Sequence, residues 1–242
     1  MGEINNYQVI TDPDKLKEFI EWLPELLPDE TFYLCLFARS KYCKGIAHIK
    51  SDKAQLKRFT SNKERMYNKI WQLECPIGAY TTKEVGGGQI AVPQEALALY
   101  VTINPRSFIK ATREGVRKLL DLCLQPYNGF HPYQEVLSEV QKASSKTRFV
   151  TFDFDIEKDQ WDIVWEAVRN QINLEALHVV ETRGGFHLIV EPSKVYEGYR
   201  TSWYMRLTDI LKLFSSDKNN KGDIMLPVPG TSQGGFTPKF IR

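Results

Sequence analysis

The stretch Arg148–Ile156, RFVTFDFDI, constrains this chain more than any other. A short apolar run ending in two acids separated by one phenylalanine reads as a strand. On an extended backbone successive side chains alternate faces, so Asp153 and Asp155 share one side while Phe152, Phe154 and Ile156 take the other. One face can then enter a core while the other presents two carboxylates. Such a pair suits a hard divalent cation. Mg²⁺ binds through one or two carboxylates plus phosphate oxygens of a substrate, and two metals about 4 Å apart can clamp both oxygens of a phosphoryl transfer. The same spacing also occurs where a strand end caps a helix or faces water, so its meaning depends on the rest of the chain.

The chain has 242 residues, 42% of them apolar, which is enough for one large domain or two joined lobes and excludes a mainly disordered protein. No apolar run approaches the roughly 20 residues a membrane span needs, and the opening MGEINNYQVITDPDKL is too polar for a secretory segment. A cytoplasmic location and no membrane partner are expected. Gly2 lacks the following Ser or Thr of a myristoylation signal. Cys35, Cys43, Cys75 and Cys123 lie far apart with no C-x-x-C pair, and read as reduced thiols. The formal charge of +2 says little, but its distribution is uneven: between Arg39 and Lys69 ten Lys or Arg face only Asp52 and Glu64.

Taken in order, residues 13–27 read as an amphipathic helix with Asp12 as N-cap and Pro13 at its first position. Residues 32–38 and 45–50 read as strands. From Asp52 to Leu73, apolar Leu56, Phe59, Met66, Ile70 and Leu73 recur at helical spacing, broken near Ser61-Asn62, with Lys53, Lys57, Arg58, Arg65 and Lys69 on the other face. That face is either solvated or a track for nucleic-acid backbone, with Tyr42, Phe59 and Tyr67 interleaved for stacking. Phe59 fits a core better. Gly86-Gly87-Gly88 marks a turn without the lysine and hydroxyl of a phosphate loop. A strand at 97–103, the turn Asn104-Pro105-Arg106 and a helix at 108–124 place Arg106 near a helix N-terminus, where it either ends a turn or meets a phosphate. On that helix Ile109, Thr112, Val116, Leu119, Leu120 and Cys123 share a face. A short helix at 133–142 ends at Ala143-Ser144-Ser145, which marks a boundary between an N-terminal lobe, residues 1–145, and a second lobe, residues 146–242. Beyond it come the strand with the acid pair, a helix at 161–172, a hairpin of strands 176–181 and 186–191, a helix at 202–214 and a strand at 223–229. The segment PGTSQGGFTPKFIR follows, with glycines and hydroxyls suited to close approach to a ligand.

Three motifs of the second lobe fall in a telling order. Asp153 and Asp155 come first. Thr182-Arg183-Gly184-Gly185-Phe186-His187 is the second, its two glycines letting a hairpin backbone approach a ligand and His187 lying 34 residues after Asp153. Asp223, 36 residues further on and followed by LPVPGT, is the third. This order resembles the archaeo-eukaryotic primase superfamily, whose members carry a D-h-D motif, an S-x-H-like motif in a glycine-rich hairpin and a third acid after a hydrophobic residue. Thr182 stands where serine is common, and Gly222 stands where a hydrophobic residue is common, which leaves Asp217 as the alternative third acid. The resemblance covers about residues 146–239.

The resemblance implies a template-directed nucleotidyltransferase, a primase or primase-polymerase. A 3′-hydroxyl attacks the α-phosphate of an incoming NTP or dNTP and pyrophosphate leaves. Asp153, Asp155 and Asp223 are expected to hold two Mg²⁺ or Mn²⁺ ions. Thr182, Arg183, Gly184, Gly185 and His187, with Thr231 and Ser232, are expected at the nucleotide. Lys53, Lys57, Arg58, Arg65, Lys69 and Arg106 are expected to grip a single-stranded DNA or RNA template. An accessory priming domain, a helicase or another replication protein is the implied partner, and host-cell cytoplasm the location if the chain comes from a virus or mobile element. The implied fold is α+β: a mixed N-terminal α/β lobe, then an RRM-like catalytic sheet with packed helices, the active site lying in the cleft between them. The same acids and basic residues also suit a metal-dependent nuclease or phosphoesterase, or a non-catalytic nucleic-acid-binding replication protein.

Overall fold

The computed structural model describes residues 5–218 and 220–242, and shows an α+β chain with six α-helices and antiparallel sheets among those residues. In chain order the elements are α1 (Pro13–Trp22), β1 (Glu30–Ala38), β2 (Ala54–Ser61), α2 (Lys63–Trp71), β3 (Thr81–Lys83), β4 (Gln89–Ala91), β5 (Leu97–Thr102), β6 (Arg106–Ser107), α3 (Phe108–Cys123) and α4 (Pro132–Lys142). They continue with β7 (Val150–Phe154), α5 (Trp161–Arg169), β8 (Leu177–Thr182), β9 (Gly185–Val190), α6 (Trp203–Phe214), β10 (Lys221–Gly222), β11 (Met225–Pro227) and β12 (Lys239–Phe240).

Helix starts follow local chemistry. Asp12 accepts the Lys15 amide at 3.1 Å with Pro13 next in the chain, Asn62 accepts the Arg65 amide at 3.2 Å, and Ser107 accepts the Lys110 amide at 3.3 Å. Each satisfies a donor that the first helical turn leaves unpaired. Helix α1 stops at Trp22, short of the expected residue 27, because Leu23 precedes Pro24 and takes the extended conformation that a following proline imposes.

Two five-stranded sheets organise the chain. The first runs β11-β5-β1-β2, with β6 also paired to β1, and the second runs β10-β7-β9-β8-β12. Strand β1 is buried along its whole length. Phe32, Leu34, Leu36 and Ala38 enter the main core with Leu16 and Phe19 of α1 and Met66 and Ile70 of α2; Tyr33, Cys35 and Phe37 meet Ala111 of α3 and Val140 of α4. In the second sheet Phe152, Phe154, Leu188 and Val190 pack on Trp161, Trp165 and Leu207 of α5 and α6, while Val180 and Ile189 join the main core. The two sheets therefore share one apolar mass. Strand β11 lies after the second sheet in sequence yet pairs with β5 in the first, Leu226 opposite Val101.

Two expectations are corrected. Residues 54–61 form a strand instead of the first half of a helix. The pairing of β2 with β1 passes from Leu36↔Lys57 to Phe37↔Gln55, so Leu56 is an extra residue in a bulge. That irregularity lets Leu56 and Phe59, three apart, both pack against the main core, which a regular strand would prevent. Residues 45–50 are no strand, only Ile49 bridging to Glu84. On α3, Ile109, Val116 and Leu120 are exposed, and the helix instead buries Ala111 and Gly115; a Cβ at Gly115 would stand 3.7 Å from Val136 of α4. Small residues set that approach. Among the described residues no helix is long and apolar enough to cross a membrane.

Candidate functional site

A cavity of about 670 Å³ gathers residues from both sheets. Strand β7 and the residue beyond it supply Asp153 and Asp155, and the β8–β9 hairpin supplies Thr182, Gly184 and His187. Asp217, Asn220 and Asp223 come from the segment around β10. Arg39, Lys41, Tyr42, Asp52 and Lys53 come from the connection between β1 and β2, with Tyr100 from β5 and Gln233 beyond β11.

The hairpin is set by sterics. Gly185 has φ +145°, and a Cβ there would fall 2.0 Å from the Phe154 carbonyl oxygen, so only glycine lets β9 close against the end of β7. Asp153 then pairs with His187 across the ladder, and Nε2 of His187 lies 3.2 Å from Oδ1 of Asp153. The other carboxylate oxygen accepts from Nδ2 of Asn220 at 2.5 Å. His187 is 5% exposed, burial pushes its pKa down against the opposing pull of Asp153, and Nδ1 has no partner. Asp155 is exposed; its backbone amide donates to Oγ of Ser215 at 3.0 Å, and Oδ2 accepts from Ser216 at 2.7 Å. Gly184 sits beside it, a Cβ there standing 3.5 Å from Oδ1 of Asp155.

Asp223 lines the same cavity but is already engaged. Arg106 holds it in a fork, Nη1 to Oδ2 at 2.6 Å and Nη2 to Oδ1 at 3.1 Å, while Asn104 donates at 3.0 Å and Ser144 at 2.5 Å. Arg106 is 4% exposed and so faces this carboxylate, away from any solvent-borne phosphate. Among the described residues no group of three or more His, Cys, Asp or Glu side chains is arranged to hold a metal ion. Asp153 and Asp155 offer two carboxylates, the number that Mg²⁺ takes from a protein when phosphate oxygens of a ligand complete its shell. Asp223 does not join them, since its oxygens are filled by a guanidinium, an amide and a hydroxyl.

No family model, curated protein or solved structure matches this chain.

The remaining expected contacts divide. Thr182 donates to the Gly185 carbonyl at 3.1 Å and closes the hairpin. Arg183 does not line the cavity: its guanidinium stacks 4.7 Å from the Tyr42 ring centroid and bonds the Gly234 carbonyl, while its amide donates to Gln233 at 2.8 Å. Thr231 and Ser232 are buried and also outside the cavity, Thr231 donating to the Val228 carbonyl at 2.8 Å. Their loop packs instead on α1, where a Cβ on Gly230 would meet the Leu16 nitrogen at 2.4 Å. Of the basic residues, Lys53 lines the cavity; Lys57 and Arg65 are exposed outside it. Arg58 is tied to Gln134 at 3.0 Å and Ser138 at 2.9 Å of α4, and Lys69 to the Thr60 carbonyl at 2.7 Å.

The lining contains residues that motif order could not supply: Arg39, Tyr100, Asn220 and Gln233. Arg39 belongs to the basic run, which was the one available signal. The other three are brought in by sheet pairing and by the bridge of Gln233 to Ala98.

Proposed function

We propose that the chain is a nucleotidyltransferase that adds nucleotides to a 3′-hydroxyl, and that this cavity is its active site. The observation that carries the reading is the convergence of Asp153, Asp155, Thr182, Gly184, His187 and Asp223 on one cavity from three separated stretches of chain. In this reading the second sheet with α5 and α6 is the RRM-like catalytic unit, and the cavity is the cleft between it and the first sheet. Asp153 and Asp155 would hold a Mg²⁺ or Mn²⁺ ion, which would supply Lewis-acid stabilisation of charge developing on phosphoryl oxygens. A buried neutral His187 with its proton on Nε2 faces Oδ1 of Asp153 and, with Asn220, fixes the carboxylate's orientation, as outer partners do for metal-binding groups. The exposed Gly184 stretch leaves backbone room beside Asp155 for a ligand to approach. Template nucleic acid runs past exposed Lys53, Lys57 and Arg65.

The test is incubation of the protein with a primed single-stranded template, labelled nucleotides and Mn²⁺. Extension that disappears in Asp153→Ala/Asp155→Ala supports the reading; shortening of the strands replaces it with a nuclease. The engagement of Asp223 by Arg106 favours one other reading, a nucleic-acid-binding protein without catalysis. Template binding that survives the double substitution, with no synthesis by wild type, would establish that one.

A further inference from the structure

The charges lining the cavity are segregated along the chain. Its carboxylates Asp153, Asp155, Asp217 and Asp223 come from β7 and the segment around β10, while its cations Arg39, Lys41 and Lys53 all come from the connection between β1 and β2, where Asp52 is the single acid.

Arg39 is unusual within that group. It is 5% exposed, Nη1 donates to the Tyr100 hydroxyl at 2.6 Å and Nη2 pairs with Asp52 at 3.0 Å, yet Nε has no partner. Its guanidinium lies 5.4 Å from the Tyr42 ring centroid and 5.8 Å from that of Tyr100, which fix the plane of the fork. A guanidinium carries five N–H donors, and a buried donor left unused costs its desolvation, so this residue is held short of acceptors. Lys41 and Lys53 are exposed, and among the described residues neither has an ion-pair partner. Burial pushes Asp52 up, but the Lys41 amide and the Arg39 guanidinium more than offset it and hold its carboxyl below the usual range, so Asp52 stays charged and anchors Arg39.

We infer that Arg39, Lys41 and Lys53 form the phosphate subsite of the cavity and take the oligophosphate of a nucleoside triphosphate. The inference rests on the nucleotidyltransferase reading and deepens it. It places the phosphate contacts on the β1–β2 connection, Arg183 being stacked on Tyr42 and lining instead the adjoining cavity that shares Asp155 and Gly184 with this one. A triphosphate presents its anionic oxygens in a row. Three cations on one connection meet that row, while the carboxylates repel it wherever no cation intervenes, which orients the ligand with one end at the acid pair.

The test is calorimetric titration of ATP, inorganic tripolyphosphate and oligothymidylate, in Mg²⁺ at fixed salt, into wild type, Lys41→Ala/Lys53→Ala and the control Lys118→Ala/Lys212→Ala, whose side chains are exposed away from the cavity. The expected result is a Kd for ATP and tripolyphosphate weakened at least about tenfold by the first pair, with the control within about twofold of wild type. Arg39→Gln, checked for folding by its melting curve, is expected to weaken ATP further. If wild type extends primers and binds ATP while Lys41→Ala/Lys53→Ala binds it equally well, the subsite is overturned and the function stands. If only oligothymidylate binding weakens, these cations serve a strand and the inference is overturned. If wild type neither binds ATP nor extends a primer, both the function and the subsite fall.

Discussion

Nε2 of His187 lies 3.2 Å from Oδ1 of Asp153, on neighbouring strands in direct register. A buried imidazole against one of two adjacent carboxylates makes the two acids unequal: Asp153 is fixed by His187 and Asn220, whereas Asp155 is exposed and held by a hydroxyl. Replacing either acid by Asn is expected to lower nucleotide incorporation by at least about 100-fold, the scale of losing one group that stabilises transition-state charge. Asp155→Asn is expected to leave the melting temperature nearly unchanged, so single-turnover extension together with a thermal melt checks the assignment.

Arg106 and Asp223 connect β6 to the segment before β11 through two hydrogen bonds, with the arginine almost fully buried. Removing one partner of such a pair leaves the other charge without compensation. Arg106→Met is expected to destabilise the fold by about 3 kcal/mol, read from urea unfolding. A loss below about 1 kcal/mol would show that solvent at Asp223 screens the pair more than its geometry implies.

Adjacent glycines in the hairpin should respond oppositely. Gly185→Ala places a Cβ 2.0 Å from the Phe154 carbonyl oxygen at a φ of +145° and is expected to cost more than about 3 kcal/mol, or to prevent folding. Gly184→Ala meets only Oδ1 of Asp155 at 3.5 Å and is expected to stay within about 1 kcal/mol of wild type while altering ligand binding beside that acid. Parallel thermal melts and nucleotide titrations separate the two effects.

Stability should fall on acidification for a reason remote from the cavity. His178 packs against Trp22 and Phe240 with Nε2 unpartnered, and burial, followed by the Lys194 charge, pushes its pKa below the ordinary 6.5 while Glu191 opposes them weakly. Below 6.5 the unfolded chain takes up a proton that the folded chain refuses, so this stabilisation is present above that pH and is lost as pH falls toward the lowered folded value. The limiting slope is about 1.4 kcal/mol per pH unit for one proton. Unfolding measured from pH 7.5 to 5.5 is expected to show a shallower decline in His178→Gln than in wild type.

Much of this architecture could be read from residue order. Asp12-Pro13 announced α1, the FDFD alternation announced β7, and TRGGFH announced a hairpin. What escaped were features fixed by pairing at a distance. Leu56 and Phe59 carry helical spacing, and only the bulge opposite Leu36–Phe37 makes that spacing compatible with a strand. The apolar stripe of α3 was legible, but not that it stays exposed, because contact with α4 is made by Ala111 and Gly115, which carry little hydrophobic signal. In the site, the Asp153–Asp155 pair and His187 were legible because strand alternation and hairpin register are local properties. That Asp223 would belong to Arg106, and that Arg39 and Tyr100 would line the same cavity, depended on sheet contacts between residues far apart in sequence.

The pairing of β11 with β5 carries a consequence for the order in which this protein can be made. Until residues 225–227 emerge from the ribosome, β5 presents an unpaired edge, and the first sheet waits on a strand synthesised long after its other members. Closing so distant a contact is slow, and an exposed strand edge in the interval invites pairing with other chains. Folding of the nascent chain should therefore finish late, and cells expressing it should lean on chaperones during that wait.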